Sequence, residues 1–158
     1  MNVGKLKNEE GKVLDGLLLI SQDVYSDKRG FFMESWNESK YNNALGEKIN
    51  FKQDNHSCSS TGVLRGLHYQ LEPEPQAKLV SCIRGSIFDV AVDLRQSSHT
   101  FGKWVGIELN ETKKQQFWIP IGFAHGFLSL SDHSEVLYKT NGYYNKRSER
   151  SIKWDDND

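Results

Sequence analysis

Between Gln53 and Thr140 the chain has no segment of helix length, and this most narrows the folds open to it. Parallel strands need a crossover of a dozen or more residues, usually a helix, so a parallel α/β sheet is disfavoured. In its place stand short strand-like runs at roughly regular spacing, split by Gly, Asn and Ser clusters. Lys78 to Arg84, Ser86 to Leu94, Lys103 to Leu109, Gln115 to Ile119, Gly126 to Leu130 and Val136 to Thr140 each read as a strand, with Gly85 breaking the first pair. The pattern predicts an all-β protein, a double-sheet jelly roll with one or two short helices; an up-and-down barrel is the lesser choice.

Upstream, Leu14 to Ile20 reads as a strand, Tyr25 to Gly30 as turn chemistry, and Phe31 to Trp36 as an aromatic strand. Asn37 to Lys48 carries the best helix signal, with Asn37 or Ser39 as the cap and Tyr41, Ala44 and Leu45 at helical spacing. Met1 to Lys12 is polar and is expected to fray or to contact a partner. It lacks the apolar core of a signal peptide, and no run reaches membrane-spanning length.

Composition removes several function classes. With 158 residues the chain is expected to form one domain over residues 1–158. Twenty basic against 21 acidic residues leave a formal charge of -1, which gives no electrostatic case for nucleic acid or an anionic membrane. A small anionic ligand needs only a local cluster of Arg and Lys, so it stays open. Cys58 and Cys82 lack metal-ligand spacing and are too few for a disulfide framework, so both are expected to be free thiols of a cytoplasmic protein.

The chemistry concentrates in Phe51 to Gln70, FKQDNHSCSSTGVLRGLHYQ. Strand alternation puts Gln53 and Asn55 on one face of a first strand, and Leu64, Gly66, His68 and Gln70 on one face of a second. A core strand would present apolar side chains there. Other candidates are Lys78, His125 and Tyr138, with Arg29, Glu34, Arg65 and Asp89 around them. Taken singly, each has a plain reading: a strand histidine is commonly a hydrogen-bonded structural residue, Tyr138 packs a sheet, and Lys78 is a solvated charge. Asp89 is harder to dismiss, because a carboxylate inside the apolar run Ile87 to Val92 needs a donor such as His125 or Lys78.

Metal is the first hypothesis that histidines in a jelly roll invite, with His56, His68 and His125 as possible ligands. In metal-binding proteins of this architecture two histidines usually stand one residue apart on a strand. Here the strand reads His68-Tyr69-Gln70, and a carboxamide replaces an imidazole poorly at a transition metal. His99 and His133 lie in loop-like sequence and are expected to be solvated.

Six segments in order, DKRGFFMESW, FKQDNHSCSSTGVLRGLHYQ, AKLVSCIRGSIFDVAVDLR, FGKWVGIELN, FWIPIGFAHGFLSLSD and VLYKTNGYYN, together resemble the dTDP-4-dehydrorhamnose 3,5-epimerase family from about Val13 to Trp154. The resemblance implies a cupin-like jelly roll and a cofactor-free homodimer with exchanged N-terminal strands. It implies inversion of C3 and C5 of a nucleotide-linked 4-keto sugar, either dTDP-4-dehydro-6-deoxyglucose or a GDP-linked 4-keto hexose or heptose. His68 matches the family's base and Tyr138 the opposing proton donor. Lys78 matches the cation beside the enolate oxygen, and His125 with Asp89 a buried pair near it. Arg29, Glu34, Gln53, Asn55, Arg65, Tyr144 and Glu149 match positions that hold the nucleotide and sugar, with Arg29 and Glu34 serving either their own or the partner's site.

Family members usually continue past WDDND with a segment bearing an aspartate that supports the base histidine. The resemblance therefore implies that another acid such as Asp89 serves His68, that turnover is slower, or that the native chain is longer; it also raises a larger substrate as an expectation. Two other readings compete with double epimerisation: a one-carbon epimerase or ketoisomerase on the same scaffold, and a non-catalytic cupin that binds a sugar nucleotide.

Overall fold

The computed structural model describes residues 1–156. Two antiparallel sheets face each other. The first has six strands in the order β1 (Asn2–Lys7), β2 (Val13–Ser21), β10 (Gln115–Ile119), β7 (Lys78–Arg84), β12 (Ser134–Thr140) and β5 (Gln53–Ser59). The second has five, in the order β13 (Glu149–Ser151), β6 (Leu64–Gln70), β11 (Phe123–Ser129), β8 (Ser86–Asp93) and β9 (Trp104–Asn110). From β5 onward the chain crosses from one sheet to the other at every step but β8 to β9, which is the expected double-sheet jelly roll. A separate hairpin pairs β3 (Val24–Asp27) with β4 (Gly30–Met33).

The single described helix, α1 (Glu38–Leu45), starts where the sequence places it: the Asn37 side chain accepts from the Lys40 amide at 3.1 Å, satisfying one of the free amides of the first turn. Gly46 ends it in the left-handed conformation with φ of 73°. The helix buries Tyr41 over the outer face of the six-stranded sheet, where Ile20, Leu79 and Trp118 point outward. Tyr41 and Gln22 join Gln116 in a hydrogen-bonded knot beneath it. A covered sheet must be apolar on both faces, and β7 accordingly reads as a near-continuous buried run.

Between the sheets, Leu14, Leu17, Val80, Phe117, Ile119, Phe123, Phe127 and Val136 form the main core. Burial of each such side chain contributes roughly 1.5–3 kcal/mol relative to exposure. Tyr138 packs against the edge of this cluster. Beyond it the space between the sheets turns polar.

Two expectations need correction. Met1 to Lys12 does not fray as a whole, because Asn2–Lys7 pairs with β2 as an edge strand. The alternation proposed for the second polar strand also fails at its centre. On β11, His125 lies opposite His68 and Phe127 opposite Arg65, so β6 takes three steps where its neighbour takes two. This bulge is centred on Gly66, whose φ is 129°. A Cβ on Gly66 would come within 2.5 Å of the Gly126 Cα, so a glycine is required on conformational and steric grounds alike. The extra residue brings Arg65 onto the same cavity as His68, while Leu67 keeps the outer face.

Candidate active site

The polar end of the space between the sheets is a cavity of about 470 Å³, open at one mouth and within the usual range for a small-ligand site. The two sheets supply its opposite walls. From the five-stranded sheet come Arg65, His68 and His125; from the six-stranded sheet come Ser57, Lys78 and Tyr138. Tyr144 and Glu149, from the chain following β12, close the rim.

The register explains how these side chains meet. Thr140 lies between Lys78 and Gln53, and Tyr138 between Val80 and Asn55. Inward positions on the six-stranded sheet therefore carry Lys78, Tyr138, Gln53 and Asn55 in adjacent rows. Gln53 donates to Asn55 Oδ1 at 2.9 Å and accepts from the Tyr144 amide at 3.0 Å, so the two amides brace the mouth. Arg65 donates from Nε to Ser59 Oγ at 2.9 Å, which leans its guanidinium across to the opposite sheet.

Lys78, which alone would have read as a solvated charge, is 8 % exposed. Its ammonium lies 3.4 Å from the His68 carbonyl oxygen. Burial pulls it down to about 8, against the opposing fields of Asp89 and Glu149. His125 and Asp89 form a buried pair at 2.6 Å from Nε2 to Oδ1. Burial lowers His125 in spite of the carboxylate that favours its charged form. Burial raises the Tyr138 phenol, partly offset by Arg65, so the group stays protonated at neutral pH.

The structure corrects one expectation about partners. Asp89 pairs with His125 and does not serve His68. The carboxylate within ion-pair distance of the His68 ring, among the described residues, is Glu149, at 3.6 Å from Nδ1 to Oε1. It sits there because β13 pairs with β6, a three-residue polar strand whose sequence carries no alternation to reveal it. Arg29 and Glu34 lie outside the cavity. Arg29 is exposed at the tip of the β3–β4 hairpin, 2.6 Å from Asp27, and Glu34 is paired with Lys40 and Asn37.

His56 points away from the cavity and pairs with Glu135 at 3.0 Å, so it does not meet His68 and His125. Among the described residues no group of three or more His, Cys, Asp or Glu side chains is arranged to hold a metal ion. Cys58 and Cys82 are both free thiols, the first exposed and the second buried. No helix among the described residues is long and apolar enough to cross a membrane.

A cation, two imidazoles and a protonated phenol on facing walls can abstract a proton from one side of a flat substrate and return one from the other. Comparison with known proteins agrees with that arrangement. The family model described as dTDP-4-dehydrorhamnose 3,5-epimerase matches residues 12–158. A dTDP-4-dehydrorhamnose 3,5-epimerase of Shigella flexneri is 59% identical over 140 residues, covering 89% of this chain and 77% of that protein. The structure of dTDP-6-deoxy-D-glucose-3,5-epimerase from Legionella pneumophila Philadelphia 1, in complex with dTDP-4-keto-L-rhamnose, superimposes with a TM-score of 0.90 at 47% identity; it covers 98% of this chain and 80% of its own. A 3'-monoepimerase from Streptomyces bikiniensis in complex with dTDP-quinovose is more distant, with a TM-score of 0.83 and 31% identity over 88% of this chain and 70% of its own. The chain belongs to the dTDP-4-dehydrorhamnose 3,5-epimerase family.

Proposed function

We propose that the protein inverts C3 and C5 of dTDP-4-dehydro-6-deoxyglucose by two proton abstractions and two reprotonations. The observation that carries this reading is the placement of His68 and Tyr138 on opposite sheets of one cavity that also holds the buried Lys78. The 4-keto group acidifies the hydrogens on both flanking carbons. His68 takes the proton from C3, the C–H electron pair moves into the C3–C4 bond, and the carbonyl π pair moves onto oxygen. Lys78, and beside it His125 held by Asp89, stabilise the enolate oxygen where that charge develops. Tyr138 then donates its proton to C3 from the opposite face and the ketone re-forms. His68 then gives its proton to solvent and Tyr138 takes one from solvent, and with both groups restored the same sequence at C5 completes the reaction, which is redox-neutral. Arg65, Gln53, Asn55 and Tyr144 at the mouth suit the nucleotide and sugar, since a guanidinium fork matches pyrophosphate oxygens.

The test is NMR of the product formed in heavy water from dTDP- and GDP-linked 4-keto sugars. Deuterium at both C3 and C5 with the dTDP sugar is expected; label at C3 alone would favour the one-carbon reading. A clear preference for a GDP-linked hexose or heptose would instead identify a different nucleotide sugar as substrate.

Lys78 makes the rate depend on pH. Below about 8 it carries its charge; as pH rises through that value the cavity loses its cation. A falling limb in kcat/KM above about pH 8 is expected, and Lys78→Met should remove both the limb and most of the rate. A pH profile flat to 10 would contradict this.

The working unit is a homodimer in which exchanged N-terminal elements bring Arg29 and Glu34 to the partner's nucleotide. Val24, Tyr25, Phe31 and Phe32 leave the β3–β4 hairpin with an exposed apolar surface suited to a two-fold contact. Light scattering at twice 18.1 kDa is the expected result. The free thiols fit a cytoplasmic location, which cell fractionation tests.

A further inference from the structure

The proton transfers leave Gln70 unused, although it is two residues on from His68, on the same face of β6, and lines the cavity. It is 8 % exposed, and a carboxamide buried to that degree needs partners for two N–H donors and a carbonyl oxygen. Gln70 has all three. Its Nε2 donates to the Tyr143 carbonyl at 3.0 Å and to the Glu74 carbonyl, and its Oε1 accepts from the Asn145 amide at 2.8 Å.

Those partners belong to two segments. Residues 71–77 join β6 to β7 and so lead from His68 to Lys78; residues 141–148 leave β12 after Tyr138 and carry Tyr144 to the cavity rim. Other bonds zip the two segments together. The Leu71 amide donates to the Ser148 carbonyl at 2.9 Å, Gln76 Nε2 to the Gly142 carbonyl at 2.9 Å, and the Ala77 amide to Asn141 Oδ1 at 2.7 Å. A Cβ on Gly142 would come within 2.7 Å of the Pro75 carbonyl oxygen, so the two backbones touch. Gln76 and Asn141 each reach from one segment to the other, whereas Gln70 reaches both from a sheet strand. Tyr144 is held as well by its amide, which donates to Gln53, and by its hydroxyl, which donates to Glu149.

We propose that Gln70 is a positioning residue for substrate binding: from β6 its amide fixes residues 143–145, and with them Tyr144, at the mouth where the nucleotide sugar enters. The residue type follows from the bonding. Two carbonyl oxygens and one N–H must be met at one point, and a carboxamide brings two donors and an acceptor. A neutral imidazole brings one of each, and a carboxylate brings no donor. The glutamine that breaks the paired-histidine pattern on this strand therefore answers a demand of the rim. The kinetic arm of this inference rests on the epimerase reading; the hydrogen-exchange arm does not.

Amide hydrogen exchange of the ligand-free protein tests the brace, and kinetics test its use. In the native protein the Asn145 amide should be protected. Gln70→Met keeps the length and loses all three bonds, so exchange at Tyr144 and Asn145 should rise about tenfold or more while β8 and β11 keep their native protection. Gln70→Glu keeps the shape and the acceptor and loses both donors. With dTDP-4-dehydro-6-deoxyglucose, both variants should raise KM roughly 10- to 100-fold, the usual effect of losing an outer brace. Their kcat should stay within about threefold of native, because His68, Lys78 and Tyr138 are set by their own strands.

A freely exchanging Asn145 amide in the native protein would overturn the proposal, and this reading stands even if Gln70→Met fails to fold. So would a native KM in Gln70→Glu, a loss confined to kcat, or protection lost equally in every strand, which would leave Gln70 a residue of general stability. If native protein turns over no 4-keto sugar nucleotide while exchange at Asn145 still follows Gln70, the brace stands and the epimerase reading falls.

Discussion

Replacing His68 by alanine is expected to lower turnover roughly a hundred- to ten-thousand-fold, the contribution of one positioned acid or base. More tellingly, it should abolish exchange of the substrate's own C3 and C5 hydrogens with solvent. Both effects follow from a single imidazole facing the cavity on the β6 wall, with Lys78 held at its carbonyl. The other cavity histidine cannot take its place, because His125 is buried against Asp89 at 2.6 Å. The fold should be unaffected, since His68 is on the exposed side of the cavity and its strand is held by β11 and β13. Nucleotide affinity should remain near the native value; a variant that exchanged C3 hydrogen at the native rate would remove His68 from the role of base.

Tyr138→Phe should separate the two halves of the reaction. The phenol stands on the opposite sheet at the border between apolar core and cavity, raised by burial and therefore protonated when the enolate forms. Without the hydroxyl, His68 still removes a proton, and its imidazolium can return a solvent-derived one to the same face. Heavy-water experiments should then show label entering C3 with retention, while the inverted product falls roughly a hundred- to ten-thousand-fold. The substitution also removes no packing, because the ring keeps its contacts with the core. Inversion at the native rate would show that the opposing proton comes from another group.

Much of this arrangement is legible in the sequence because strands write their boundaries in local chemistry. The break at Gly85 separates β7 from β8, and Gln115–Ile119 matches its run residue for residue. Asn37 marks the start of α1 through a hydrogen bond between near neighbours. Gln53 and Asn55 share a face as alternation requires. Other features depend on contacts that local pattern does not encode. Alternation placed Arg65 away from His68, and the bulge at Gly66 reverses this, because the positive φ and the close approach of Gly126 are properties of two paired strands.

Lys78 illustrates the same limit energetically. A lysine at a strand end reads as solvated; here its Nζ is enclosed because β7 is the interior strand next to β12 and the opposite wall descends over it. Asp89 was identifiable as a buried carboxylate needing a donor, since it interrupts an apolar run. Which donor it takes was decided by register: Phe127 lies opposite Asp89 and His125 opposite Ala91, which sets the imidazole one pair along on the same face. Glu149 was named only through the family resemblance, and its closeness to His68 left no local signal, because β13 is three residues long and exists only through its pairing with β6.

The most direct test of the account is a structure of the protein with a dTDP-linked 4-keto sugar, or an unreactive analogue, in the cavity. The His68 ring and the Tyr138 hydroxyl should lie across the two faces of the pyranose, each about 3–3.5 Å from the carbon it serves, with Lys78 at the C4 oxygen. A sugar ring with both side chains on one face, or one seated away from Lys78, would contradict it.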